Sequence, residues 1–537
     1  MSVFESQINS QSKEFIANAE RMIAGVDEVR GIEQSVIERA EAKAPRYLKR
    51  GFISPRERLN LLLDPGAPFL EIATLASYKQ GNDEDGSAAG GTCIAGIGYI
   101  EGTRCSIYVD DFLTKGGSLS RIGGEKRLKL QTIALRQKMP LVVLAQSAGG
   151  DLREVGDMFG YSGVFFANQA RLSAAGIPQV TVVHGSATAG GAYQPGMSDY
   201  VVMIRKQSTV YLAGPPLLKA ATGEIATDEE IGGAELHSSI SGVADYLAEN
   251  DADGIRIARE ILAKLHWNKS LPYTPEKSYP DPLYPKEDLA GIVPVDPKTP
   301  YDVREIIARL ADGSDFLDFK PEYDNGTICG YIDVQGQPCG VIGNNSPITA
   351  NGAIKAGQFI QLCDQSETPL LFLHNTTGFL VGTEMERAGI IKHGAKMIQA
   401  VTNSRIPKIS IIVGGSYGAG NYAMCGKGMD PDFIFAWPHS VVSVMGPAQA
   451  GSVLRQVAET RMKKAGVEDD AFLDQLETET RTNMEARSHA LANTARLWDD
   501  GLIDPRDTRN VLAFVLEVCQ EAKVRKVNPN TFGIGRL

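Results

Sequence analysis

Residues 176–193 read GIPQVTVVHGSATAGGAY, and residues 405–422 read RIPKISIIVGGSYGAGNY. In both, a short apolar run passes directly into a turn of small residues. The two stretches keep step: Pro178 and Pro407 are 229 residues apart, and so are Tyr193 and Tyr422. Working outward, Pro140 before LVVLAQ and Pro369 before LLFLHN show the same separation of 229, while GYIEG from Gly98 and GYIDVQG from Gly330 are separated by 232. A small insertion explains that slip. Self-similarity at one long spacing means that the chain holds one domain design twice.

The order of segments around each stretch points to the fold class. A β-rich pair comes first, CIAGIGYIEGTRCSIYVDD in one copy and TICGYIDVQGQPCGVIGNN in the other. Segments with apolar residues near helical spacing follow, EKRLKLQTIALRQ and GAIKAGQFIQLCDQ. Next come a buried strand (LVVLA or LLFLH), a second helix (around FFANQARLSAA or HGAKMIQAVTN) and the strand that enters the small-residue turn. Continuous apolar runs between helices predict a parallel sheet covered on both faces. The expected fold is α/β: two tandem domains related by internal duplication, each repeating a ββα-like unit.

Between the copies, the 37 residues from His266 to Asp302 hold eight prolines. Proline fixes φ and removes a donor, which predicts an extended surface linker. The expected domains are residues 1–280 and 281–537. Residues 466–487 are acidic with a helical pattern, read as a solvated helix.

Composition excludes several classes. The chain has 537 residues and a formal net charge of −11, a poor basis for general nucleic-acid binding. No apolar run approaches the length of a membrane span. The first 22 residues carry Glu5, Lys13, Glu14, Glu20 and Arg21, which fits neither a secretory signal nor a transit peptide. The seven scattered cysteines form no CxxC, so neither a zinc site nor a redox pair is expected, and a cytoplasmic location fits reduced thiols.

The small-residue turns carry the chemistry. Ala189-Gly190-Gly191 and Gly418-Ala419-Gly420 each end a buried strand just before an expected helix. Glycine lets the backbone approach a ligand, and N–H groups at a helix start attract negative charge. Each turn could stabilise an oxyanion. Close packing at a strand–helix turn is the bland alternative, and duplication alone would copy a packing motif too.

The longer motifs around these turns are specific. GIPQVTVVHGSATAGGAYQPGMSDY, LAGPPLLKAATGE and GGAELHSSISGVADY resemble the N-terminal half of biotin-dependent carboxyltransferases. TTGFLVGTEMERAGIIKHGAKMIQAV, GGSYGAGNYAMCGKGMDPDFIFAWP and VMGPAQAGSVL resemble the C-terminal half, and RGFISPRERLNLLLDPGAPFLEI resembles the family's opening segment. The resemblance spans nearly the whole chain and is strongest to the β subunits of methylcrotonoyl-CoA and geranyl-CoA carboxylases.

That resemblance implies tandem crotonase-like domains built as ββα superhelices, with an active site where the N-domain of one subunit meets the C-domain of another. It implies an acyl-CoA thioester substrate, carboxybiotin carried on a partner subunit, and no metal. The Gly190 and Gly191 amides would hold the thioester enolate oxygen, and those of Gly418 and Ala419 the ureido oxygen of biotin. Lys115, Gly116, Gly117, Ser118, Ala189, Tyr161, Ser162 and Gly163 would bind acyl-CoA; Gly378, Phe379, Tyr417 and Gly420 would border biotin. The chain has no AMKM-type biotin acceptor and no ATP-binding module. A separate α subunit with biotin carboxylase and carrier domains is therefore implied, with a dimer or a β6 core in an α6β6 complex. No nucleic-acid or membrane partner is expected.

Such a reaction needs charge stabilisation and positioning more than a side-chain base, and no histidine or paired-carboxylate motif stands out. His184, next to the first turn, is the best candidate for an exception. The N-domain departs from the family where DSGGANLP is expected: the chain reads QSAGGDLREVGDMFGYSG from Gln146. KGGSLSRIGGEKRLK from Lys115 partly resembles propionyl-CoA carboxylases. Both segments bear on the acyl group, where a branched or terpenoid enoyl-CoA is expected and a propionyl-CoA-type substrate is the alternative.

Three rival readings remain open at this point. Gly414-Gly415-Ser416-Tyr417-Gly418 matches the GxSxG of serine hydrolases and follows a buried strand, with Asp432 and His439 as possible partners. The others are a non-catalytic carboxylase scaffold, and a different crotonase-like enzyme such as a hydratase or a decarboxylase subunit.

Overall fold

The computed structural model describes residues 3–81, 83–151, 153–272, 278–296 and 299–535. By packing, the chain divides into two compact units. The first comprises residues 31–273, 495–497 and 518–537; the second comprises residues 1–30, 274–494 and 498–517.

In the first unit, α1 (Pro55–Leu62) precedes a mixed sheet. Strands β1 (Leu70–Glu71), β2 (Cys93–Ile100) and β3 (Thr103–Asp110) pair antiparallel. Glu101 and Gly102 both take positive φ in the β2–β3 turn, matching the right-handed twist of the strands. Helix α2 (Arg121–Arg136), β4 (Leu141–Ser147), α3 (Val155–Ala174), β5 (Gln179–Thr188), β6 (Tyr200–Ile204), β7 (Thr209–Tyr211), β8 (Tyr246–Ala248) and α4 (Asp251–Leu265) follow. The strand order is β1-β2-β3-β4-β5-β6-β8, parallel from β3 onward, with β7 on the far end of β5. Val142, Leu144, Val180, Val182, Val202 and Ile204 pack against Leu59 and Leu62 of α1 and Ile255, Ala258 and Leu262 of α4. Each such aliphatic side chain contributes roughly 1.5–3 kcal/mol by burial.

The second unit repeats the scheme. It has β9 (Leu317–Asp318), β10 (Thr327–Val334), β11 (Gln337–Asn344), α5 (Ala350–Gln365), β12 (Leu370–Thr376) and α6 (Ile390–Asn403). Then come β13 (Lys408–Tyr417), α7 (Gly418–Ala423), β14 (Phe433–Ala436) and β15 (Val441–Ser443). The order runs β9-β10-β11-β12-β13-β14, with β15 on the far end of β13. Ile342, Leu370 and Phe372 pack on Ala356, Phe359 and Ile360 of α5 and Met397 and Val401 of α6. The tandem α/β design expected from the 229-residue spacing is present, with an antiparallel hairpin leading each otherwise parallel sheet.

Each sheet carries one irregularity at an equivalent place. The β4–β5 register shifts between Ala145 and Ser147, and the β12–β13 register shifts between His374 and Thr376. Both shifts fall at the carboxyl ends of parallel strands, the edge where α/β sheets bind ligands.

The proline-rich linker is not extended throughout. Leu289–Ile292 forms one buried helical turn, because Gly291 lets the Phe15 ring lie where a Cβ would come within 2.4 Å. Residues 466–487 fall largely in α9 (Asp470–Ser488), which pairs with α8 (Pro447–Ala465) and is mostly exposed. Among the described residues, no helix is long and apolar enough to cross a membrane.

Candidate active site

In the first unit, β5 ends at Thr188 and the chain enters a 3₁₀ turn, Ala189–Ala192, followed by one helical turn, Tyr193–Gly196. Ala189 sits at φ 53°, a left-handed conformation that costs an alanine roughly 1–2 kcal/mol. Gly191 has no such strain, and a Cβ there would meet nothing within 4 Å; one on Gly190 would meet only Phe166, at 3.9 Å. Packing therefore does not demand these two glycines. The first N–H groups of a helical turn lack partners within it, and here the space beside them is open to an acceptor from outside the turn.

Neighbouring segments converge on this turn. Ser147 Oγ donates to the Gly117 carbonyl (2.8 Å) and accepts from the Gly149 amide (3.1 Å), fastening the Lys115–Ser118 loop to the end of β4. Ser118 Oγ closes the loop on the Lys115 carbonyl (2.9 Å). Lys115 and Gly116 are exposed, whereas Gly117 is a buried packing position, 2.6 Å from the Gln146 carbonyl at its would-be Cβ. A cavity of about 320 Å³ beside the loop is lined by Lys115, Ser118, Arg121 and Arg153, with Asp83 and Asp151 opposing them. Helix α3 reaches the turn through Phe166, whose ring lies 5.2 Å from that of Tyr193. Further along α3, Tyr161 is exposed, Gly163 is open, and Ser162 Oγ bonds within the helix to the Met158 carbonyl (3.0 Å).

In the second unit, Gly418 starts α7 at φ 53°, Ala419 is exposed and Tyr417 is half-buried. Gly378 lies beneath the turn at φ 112°, and a Cβ on Gly420 would come within 2.7 Å of its Cα. Gly420 and Gly378 are thus buried glycines that let β12 and α7 approach. Phe379 packs over Gly394 of α6. The structure brings all the residues expected near biotin together around this one turn.

The duplication holds at atomic detail. Leu119 bridges to Gly150 as Ile348 does to Phe379, and Ser147 caps the Gly149 amide as Thr376 caps that of Gly378 (3.2 Å). The 229-residue offset pairs Ala189 with Gly418, Gly190 with Ala419 and Gly191 with Gly420. The shared left-handed residue is therefore Ala189 in one copy and Gly418 in the other. Ser147 and Thr376 were missed from sequence, although their matched spacing was a usable signal.

The supports under the two turns differ. Gln194, just past the first turn, is buried; its side chain receives a hydrogen bond from Arg127 and donates to Thr181 Oγ1 (3.0 Å) and Ser198 Oγ (3.3 Å). Deeper in the first unit, Arg58 is fully buried against Asp251 (2.9 Å), Gln146 (2.7 Å) and the Phe112 ring. His184 Nδ1 bonds to the same carboxylate at 2.8 Å. Burial, then the Arg58 charge, push the His184 pKa down to about 4, so this histidine is neutral. Burial alone would raise Asp251, but its bond to His184 and the Arg58 charge outweigh that and hold it at about 2. His184 is thus a buried structural partner, not an acid–base group.

The hydrolase triad is not assembled. Ser416 is fully buried; Asp432 accepts from the Lys408 amide (3.0 Å), and His439 Nε2 bonds to the Arg21 carbonyl (2.8 Å). Among the described residues, no group of three or more His, Cys, Asp or Glu could hold a metal ion.

Comparison with known proteins adds four findings. The carboxyl transferase domain profile matches residues 46–533. The crystal structure of the geranyl-CoA carboxylase β subunit of P. aeruginosa is 56% identical, covers 100% of both chains and superposes with a TM-score of 0.94. The biotin-dependent 3-methylcrotonyl-coenzyme A carboxylase β1 subunit of Mycobacterium tuberculosis is 43% identical over 92% of this chain and 93% of its own. A probable mitochondrial methylcrotonoyl-CoA carboxylase β chain of Drosophila melanogaster is 41% identical over 100% of this chain and 95% of its own.

Proposed function

The chain belongs to the carboxyl transferase family, and from that membership we propose which acyl group it carboxylates and what each turn does. It is the carboxyltransferase (β) subunit of a biotin-dependent acyl-CoA carboxylase. Its substrate is a terpenoid enoyl-CoA, geranyl-CoA before 3-methylcrotonoyl-CoA. The observation behind this choice is the 56% identity, over the full length of both chains, to a geranyl-CoA carboxylase subunit, against 43% and 41% for methylcrotonoyl-CoA carboxylase relatives. Helix α3 is compatible with a long acyl chain: a Cβ on Gly156, Gly160 or Gly163 would meet nothing within 4 Å. These positions fall on one helical face.

The acyl-CoA side is assigned to residues 1–280, with Lys115–Ser118 and Ala189 holding coenzyme A and Tyr161, Ser162 and Gly163 along the acyl group. The Gly190 and Gly191 amides stabilise the enolate oxygen of the thioester. The biotin side is assigned to residues 281–537. Exposed Ala419 and half-buried Gly418 and Phe379 fit a small polar ring with an apolar flank. When bound, carboxybiotin supplies both the carboxyl group and the base for the substrate proton. The protein's part is to hold two developing negative charges with preorganised amides. A biotin-bearing α subunit and a β homo-oligomer, by resemblance α6β6, complete the assembly. All seven cysteines are buried and none is in a disulfide, which supports a reducing, cytoplasmic location.

The test is a substrate panel on the reconstituted complex with ATP and bicarbonate. The expected result is the highest kcat/KM for geranyl-CoA. Higher kcat/KM for methylcrotonoyl-CoA or propionyl-CoA would overturn the substrate assignment.

A further inference from the structure

Ser416, at the centre of the GGSYG motif at 414–418, has no part in the chemistry above, yet it is not idle. Its Oγ receives a hydrogen bond from Asn421 Nδ2 (2.8 Å) and is hydrogen-bonded to His374 Nδ1 (2.9 Å). All three flank the second turn: His374 lies at the bulge of β12, Ser416 two residues before Gly418, and Asn421 two residues after Ala419. His374 and Ser416 are fully buried.

The Asn421 amide can only donate at Nδ2, so Ser416 Oγ accepts there. Its bond to His374 Nδ1 runs in the direction that the imidazole tautomer sets. The burial of His374 favours the neutral ring, with a pKa of about 3.

The duplication supplies an internal control. Shifted by 229 residues, His374, Ser416 and Asn421 become Ala145, Ala187 and Ala192. All three members are replaced by alanine together, yet the first turn still forms, with Ala189 at the same φ of 53° as Gly418. The trio is therefore dispensable for making such a turn. It is present only in the unit assigned to biotin.

We propose that His374, Ser416 and Asn421 form a buried positioning relay that sets the direction of the Gly418 and Ala419 amides toward the ureido oxygen. Asn421 sits in the single short helix that carries those amides, and its bond to Ser416 ties that helix to β12 through His374. The proposal rests on the carboxyltransferase reading, whose own failure would show as wild-type complex without acyl-CoA carboxylation.

The experiment uses the complex with the biotin-bearing α subunit and compares wild type with Ser416→Ala, Asn421→Ala and the triple variant H374A/S416A/N421A. Losing a whole oxyanion donor costs roughly 10²–10³ in turnover, and misdirecting one costs less, about 10-fold. The expected result is normal assembly and unchanged KM for acyl-CoA. Carboxylation and acyl-independent decarboxylation of carboxybiotin should both fall by about that factor. Near wild-type rates in the assembled triple variant would overturn the relay, as would loss confined to the acyl-CoA reaction. Failure of all three variants to assemble would also overturn it, by showing the trio to be a folding element.

Discussion

Ala189 and Gly418, 229 residues apart in the sequence, hold the same φ of 53° at the first residue of their respective turns. The left-handed start is thus a property of the duplicated design and not of glycine itself. It also separates two kinds of small residue at the site. Gly418 relieves backbone strain, whereas Gly190 and Gly191 leave space.

This separation makes the effect of Gly418→Ala calculable. Ala189 shows that alanine can occupy the conformation, at roughly 1–2 kcal/mol. The new Cβ would lie 3.1 Å from the Val444 carbonyl, a tight but adjustable contact. The variant should assemble with a lowered melting temperature. Failure to assemble would contradict the equivalence of the two positions.

The Arg58–Asp251–His184 cluster ties α1, α4 and β5 together beneath the first turn. Asp251→Ala leaves a buried guanidinium without its carboxylate and should destabilise the fold by roughly 3–5 kcal/mol, measured by thermal unfolding.

The same cluster sets an acid limit. His184 folds with a pKa near 4, below its ordinary 6.5, so the unfolded chain binds the extra proton between those values. Stability from this group is full above about pH 6.5 and falls as pH drops toward 4. Asp251, held near 2, adds a second loss from about pH 4 downward. The melting temperature should therefore decline between pH 6.5 and 4, before most carboxylates protonate. A flat profile over that window would contradict the burial of a neutral His184.

The absence of an AMKM-type motif in the sequence gives a direct check on partnership. The purified chain should be negative on an avidin blot and carboxylate acyl-CoA only after a biotinylated partner is added. Covalent biotin on this polypeptide would contradict the division of labour.

Much of this was legible in the sequence because duplication converts similarity into spacing. The strands, the paired helices and both turns follow from one offset, and so did Gly190, Gly191, Gly418 and Ala419 as candidates. Backbone conformation was not legible: nothing in the letters marks Ala189 as left-handed, since alanine normally avoids that region. Nor were the polar supports, which join residues far apart in the chain, such as Arg58 with Asp251 or His374 with Ser416. The GxSxG pattern pointed toward a nucleophile because a short motif carries no information about burial. Gly420 illustrates the converse. It reads as a ligand-facing glycine, but its would-be Cβ lies against Gly378.

The central claim is that the turns do different work, one for the acyl enolate and one for biotin. Gly191→Val fills open space without backbone strain, and Ala419→Val adds bulk at an exposed position, so both should fold. Gly418 is less suitable because its φ of 53° would confound the result with strain. The most direct measurement compares acyl-CoA carboxylation with acyl-independent decarboxylation of carboxybiotin in the assembled complex. Gly191→Val should lose carboxylation by roughly 10²–10³ and keep the decarboxylation; Ala419→Val should lose both. If both variants assemble and retain near wild-type carboxylation, the turns are packing features and the assignment is wrong.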